Sequence, residues 1–167
     1  MIIFPLRLAL VSLLTLFLSS LSQSQQSKEN SMTQLQAAGP FDVKITPLDP
    51  AFKFDENPYT RFSIDKQFHG DLEAVSKGEM LAAGSPAKGA GGYVAIERVS
   101  GSLHGHTGTF VLQHNATMQR GAYELNVIVV PESGTGQLAG LSGTMQIIIA
   151  AGGKHSYNFT YTLPDNK

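Results

Sequence analysis

The sequence predicts an all-β domain, an antiparallel sheet either closed into a barrel or folded into a sandwich. Three observations lead there. Beyond Phe41 almost no window carries apolar residues at helical spacing, alternating and β-branched runs recur instead, and glycine-rich breaks separate those runs at short intervals. Closure has a physical attraction, since an open sheet presents unpaired backbone groups to other chains.

The first residues precede that domain. Arg7, an apolar run over residues 8–18 and the small-residue exit Ser19, Ser20, Leu21, Ser22 have the layout of a secretory signal peptide. A membrane span needs about twenty apolar residues, and Arg7 interrupts the longer run, so removal is expected rather than anchoring. Residues 1–22 are therefore assigned to a signal peptide, cleaved after Ser22 or Ser24, and the product is expected outside the cytoplasm, periplasmic or extracellular, with no membrane association. Residues 23–40 hold Gln, Ser, Asn and small side chains, with Met32 and Leu35 the only large apolar ones. Such a stretch buries too little to offset its ordering entropy and is expected to be a flexible leader. Residues 41–167 remain, enough for one core but not two.

Eight strands are expected in order, at residues 41–46, 60–68, 71–83, 93–102, 108–118, 122–130, 144–150 and 155–163. Pro47, Pro50 and Pro58 mark a loop over one end, and residues 84–92, with four glycines and Pro86, mark a mobile hairpin tip. Gly101-Ser-Leu-His-Gly105-His-Thr-Gly108-Thr recurs as Gly136-Gln-Leu-Ala-Gly140-Leu-Ser-Gly143-Thr, which suggests equivalent hairpin corners of a repeated unit. Gly134-Thr-Gly136-Gln-Leu-Ala139 formally matches a dinucleotide fingerprint, but Gly140 and Gly143 would break the helix that fingerprint requires. Two strands are apolar on both faces, around Leu125 to Val130 and Ile147 to Ile149. One face fills the interior and the other needs cover, so a homo-oligomer is expected.

Composition excludes several functions. With 12 basic and 13 acidic residues the chain has no basic field for a phosphate backbone, and nucleic acid is not expected as a partner. The absence of cysteine removes disulfides, iron–sulfur clusters, thiolate zinc sites and cysteine nucleophiles. His104 and His106 would share one face of an extended segment, yet no further ligand follows at close spacing, so no metal and no cofactor is assigned.

A few polar residues end otherwise apolar strands. His114 shares a face with Phe110 and Leu112, and Gln113 shares the other with Val111. Glu97 and Arg98 follow Tyr93 to Ile96 and point to opposite faces, so each needs a partner elsewhere; Glu79 is of the same kind. These five are the candidate ligand-binding residues, and they serve equally as a buried polar network fixing strand register. No nucleophile elbow or readable carboxylate pair supports a hydrolase, and no catalytic residue is assigned.

The strings Lys66-Gln-Phe68-His-Gly70-Asp-Leu72, Glu97-Arg-Val-Ser-Gly101-Ser-Leu103, Gly108-Thr-Phe110-Val-Leu-Gln113-His114 and Val130-Pro-Glu-Ser-Gly134-Thr-Gly136-Gln-Leu138-Ala-Gly140-Leu-Ser-Gly143 resemble a bacterial family of unknown function whose β-barrel is similar to that of plant allene oxide cyclases. The resemblance spans nearly all of the expected domain and implies a closed antiparallel barrel of about eight strands. It carries Glu97, Arg98, Gln113 and His114 as family-typical positions, with Glu79 beside them; His104 and His106 fall outside its pattern, and residues 46–59 are longer and richer in proline. Fold alone transfers no reaction. Three functions are expected in this order: binding of a small apolar ligand in the barrel, a structural oligomeric barrel, and an isomerase or cyclase.

Overall fold

The structure, a computed structural model, describes residues 33–49 and 59–164. The expected signal peptide and most of the proline-rich loop lie outside these residues. Eight strands, β1 (Leu35–Leu48), β2 (Thr60–Phe68), β3 (Leu72–Ser85), β4 (Ala90–Leu103), β5 (His106–Gln119), β6 (Ala122–Val129), β7 (Ser142–Ile149) and β8 (His155–Thr162), form one closed barrel in sequence order. Every neighbouring pair is antiparallel, and β8 returns to β1. Of the two arrangements open to the sequence, the barrel is the one adopted.

Strand β1 begins six residues earlier than expected, so residues 35–40 are not leader but sheet. They pair with β8 from Leu35↔Tyr161 to Phe41↔His155, whereas residues 41–48 pair with β2. Closing a tilted barrel staggers the two partners of one strand along its length, which demands a long β1. Its inward positions there are small, Ala37 and Gly39, set against Tyr157 and Phe159; large residues on β8 fill the space, so the β1 segment reads as too polar to fold.

The expected tip at residues 84–92 is also shorter. Pairing of β3 with β4 continues to Ser85↔Ala90, leaving only the 3-10 turn Pro86–Lys88 and Gly89 between them. The two copies of the glycine pattern are not equivalent corners. In the first, His104 and Gly105, at φ 47° and 85°, form a two-residue turn joining β4 to β5. In the second, Gly136–Leu138 is a 3-10 turn leading towards β7, and Leu138 and Leu141 are buried in the core. The copies share buried leucines, Leu103 and Leu138, and a left-handed glycine two residues later, not a fold.

Strand β6 runs alongside β5 only from Leu112 to Gln119, and it meets β7 at one register pair, Ile128↔Thr144. The lower half of β5 is satisfied differently. Val111 N donates to Ser133 Oγ at 3.0 Å, Thr109 N to Thr135 Oγ1 at 3.1 Å and Thr107 N to Gln137 Oε1 at 2.8 Å. Alternate side chains of the passing loop thus take the place of a strand, a direct role for the Ser-Gly-Thr-Gly-Gln string.

Inward residues sort into three levels. Phe68, Leu72, Leu103, Phe110, Phe159 and Tyr161 pack with Leu138 and Leu141 into a closed end. At the other end Ile45, Tyr123 and Ile149 are more than half exposed on an open rim. Between the two lies a layer of polar side chains.

Candidate functional site

Period-two alternation places one polar side chain inward on each of four adjacent strands. Lys66 lies between Ile64 and Phe68, Ser76 follows Leu72 and Ala74, Glu97 lies between Ala95 and Val99, and His114 lies between Leu112 and Ala116. Register brings them together, with Lys66 opposite Ser76, Gly78 opposite Glu97 and Ala95 opposite His114. A Cβ on Gly78 would stand 3.0 Å from that of Glu97, so its absence opens a lateral path for the carboxylate.

Glu97 is the hub, at 0% exposure. Its Oε2 accepts a hydrogen bond from Lys66 Nζ at 2.7 Å, and its Oε1 accepts one from Ser76 Oγ. His114 Nε2 lies 2.9 Å from the same Oε2, at ion-pair distance but without the alignment of a hydrogen bond. Lys66 Nζ also lies 5.3 and 5.5 Å from the ring centroids of Phe41 and Phe68, a cation–π environment that helps hold an ammonium under cover. Burial pushes the Glu97 carboxyl up, but His114, the Lys66 ammonium and the Ser76 hydroxyl outweigh it and hold the group down at about 2. At neutral pH it is a fixed anion, unsuited to donating a proton.

Above this layer the barrel opens into a cavity of about 470 Å³, walled by Val43, Ile64, Met80, Leu125 and Ile147, with Lys66 and His114 bordering it. Tyr93 and Tyr123 meet over the small Ala116, their hydroxyls 3.1 Å apart. Burial and the Tyr123 hydroxyl push the Tyr93 phenol up, so its ring acts as an uncharged wall. Among the described residues, His114 Nε2 is the buried side-chain nitrogen or oxygen left without a hydrogen-bond partner.

Of the five residues singled out from sequence, the structure brings two together, Glu97 and His114. The other three face outward and cannot line the interior. Glu79 holds Arg61 through two hydrogen bonds of 2.8 and 3.0 Å on the surface, Arg98 Nη1 donates to Thr109 Oγ1 at 3.3 Å, and Gln113 is exposed. The reason is parity: each sits one residue from an inward position. Lys66 and Ser76 were missed, although Ile64-x-Lys66-x-Phe68 and Leu72-x-Ala74-x-Ser76 put both on apolar faces. His104 belongs to the closed end, its Nδ1 2.7 Å from Tyr161 Oη, and His106 is exposed.

Among the described residues, fold and site together define a small closed barrel with one plugged end, one open apolar end and a buried ion cluster between them. Over residues 37–161 the chain matches the family described as protein of unknown function (DUF3224), and it belongs to that family. It is similar to a crystal structure of a DUF3224-family protein with unknown function from Shewanella oneidensis MR-1, with 45% identity over 79% of this chain and 98% of that one and a TM-score of 0.74. No curated protein matches it. The family and the barrel expected from the sequence strings both hold.

Proposed function

We propose that this chain is exported and holds a small, mostly apolar molecule in the open end of its barrel. The observation that carries this reading is the cavity of about 470 Å³, with apolar walls above a charged floor that the His114 imidazole borders. A preformed concavity with few convergent polar groups is the general form of a small-molecule site. A purely structural barrel accounts for Lys66, Ser76, Glu97 and His114 as a register lock but gives no use to the open end. An isomerase or cyclase would need a proton carrier, and His114 is the group placed for it, since Glu97 stays ionised.

Export is supported by the layout of residues 1–22. Self-association is supported by the outer face of β4, where Val94 and Ile96 stand 55% and 54% exposed side by side. Native mass spectrometry of the protein purified from its own host tests all three. The expected result is an oligomer whose chains begin at Gln23 or Gln25 and release a discrete small adduct on mild denaturation. An empty cavity, a monomer at micromolar concentration or a retained Met1 overturns the corresponding part.

A further inference from the structure

We infer that the molecule held in the open end is an uncharged hydroxyl compound, an alcohol or phenol with a mostly apolar body, whose O–H is received by His114. This rests on the reading of the open end as a ligand site and adds the chemistry of the ligand's polar group.

The charges on the floor cancel locally. Lys66 Nζ is 2.7 Å from Glu97 Oε2, so neither offers an unspent charge to a newcomer. An anionic head drawn to Lys66 would meet the Glu97 carboxylate at close range in a poorly screened interior, and a cationic head drawn to Glu97 would meet Lys66 in the same way. Both carboxylate oxygens are already engaged, by Ser76 and by Lys66. At the rim one of the Tyr93 and Tyr123 hydroxyls donates to the other. His155, whose ring lies 5.2 Å from Phe41, also borders the cavity.

What is left on the floor is His114, beside the two N–H groups of Lys66 that Glu97 does not take. A carboxylate only accepts, so the ring nitrogen facing Glu97, Nε2 at 2.9 Å, is the one that carries the proton. Nδ1 is then a lone-pair acceptor. It makes no hydrogen bond among the described residues, and the ring borders the cavity. An acceptor with no donor, beside an ammonium with donors to spare and over a neutral ion pair, selects an uncharged group that gives one hydrogen bond and takes another, and a hydroxyl on an apolar frame is the simplest such group.

The test is a matched series read by titration calorimetry at pH 8 on the protein purified from its own host and freed of adducts: 1-decanol, its methyl ether, decanoate and decyltrimethylammonium, each below its aggregation concentration. Decanol is expected to bind about tenfold tighter than the ether, decanoate or the ammonium, the worth of one buried hydrogen bond. His114→Phe is expected to bring decanol to the level of the ether and leave the ether unchanged. Should that variant misfold, the wild-type series still decides. If decanoate, the ammonium or the ether matches decanol, the hydroxyl assignment is overturned while the ligand site stands. If none of the four binds, the reading of the open end falls with it.

Discussion

The two ends of this barrel are built on the same eight strands with the same alternation, yet among the described residues one is sealed by its connections and the other is not. At the closed end, loops return polar groups to the sheet. Leu72 N donates to Tyr157 Oη, which donates in turn to the His69 carbonyl, and Asp71 accepts from the Ala38 amide. His104 is fastened to Tyr161, and the loop carrying Leu138 folds over Phe110 and Phe159. At the open end the strands run out with isoleucines and tyrosines on the rim, and the polar contacts there, between the two phenols, between the Gly121 amide and the Gly89 carbonyl and between Arg61 and Glu79, join strands and their turns around the rim. The difference teaches that alternation makes the tube, whereas stability and access are set by what the connections put across each mouth.

The contrast is broken most directly by truncation. Phe159→Ala at the closed end should cost about 3–5 kcal/mol, and Ile149→Ala on the rim less than about 1 kcal/mol, by denaturant unfolding. Equal losses would mean that the two ends are not different in kind. Next in size is the layer between them. Glu97→Gln strands the Lys66 ammonium under cover and should cost about 3 kcal/mol, most of it regained when Lys66→Met is added, because removing both charges removes the desolvation problem.

The same carboxylate predicts a pH dependence. Its folded value of about 2 lies below the ordinary 4.5, so its stabilisation is complete above pH 4.5 and drains away as pH falls towards 2. Roughly 3 kcal/mol should disappear across that window, and Glu97→Gln should flatten the slope. A wild-type slope unchanged in the variant would assign the acid sensitivity elsewhere. Smaller still is Thr135→Ala, expected to cost about 1 kcal/mol and to speed hydrogen exchange at Thr109 while leaving the amides of β2 alone. Least of all is Glu79→Gln, on the outside of the barrel, which should leave the melting temperature unchanged in physiological salt.

Strand number, order and most strand limits were legible because alternation is a local property. What was not legible depended on partners. Residues 35–40 carry little hydrophobicity of their own and become sheet because Tyr157 and Phe159 on β8 fill the volume they leave. Glu79, Arg98 and Gln113 were chosen for polarity at strand ends, without parity being applied against a fixed inward neighbour such as Phe110 or Val99. Applied consistently, parity finds Lys66 and Ser76 and rejects those three. The pairing of Glu97 with Lys66, 31 positions away, depends on register between strands, which no single strand specifies.

The loop that runs beside the lower half of β5 bears on association. A row of open backbone amides is what a foreign strand recognises, and such rows are the seeds of runaway sheet growth. Here the row at Thr107, Thr109 and Val111 is already answered, residue by residue, by two hydroxyls and a carboxamide from Ser133, Thr135 and Gln137. The chain thereby closes its perimeter without a full-length sixth strand. The amides it would otherwise expose are masked by groups that cannot pass the pattern on to a next strand.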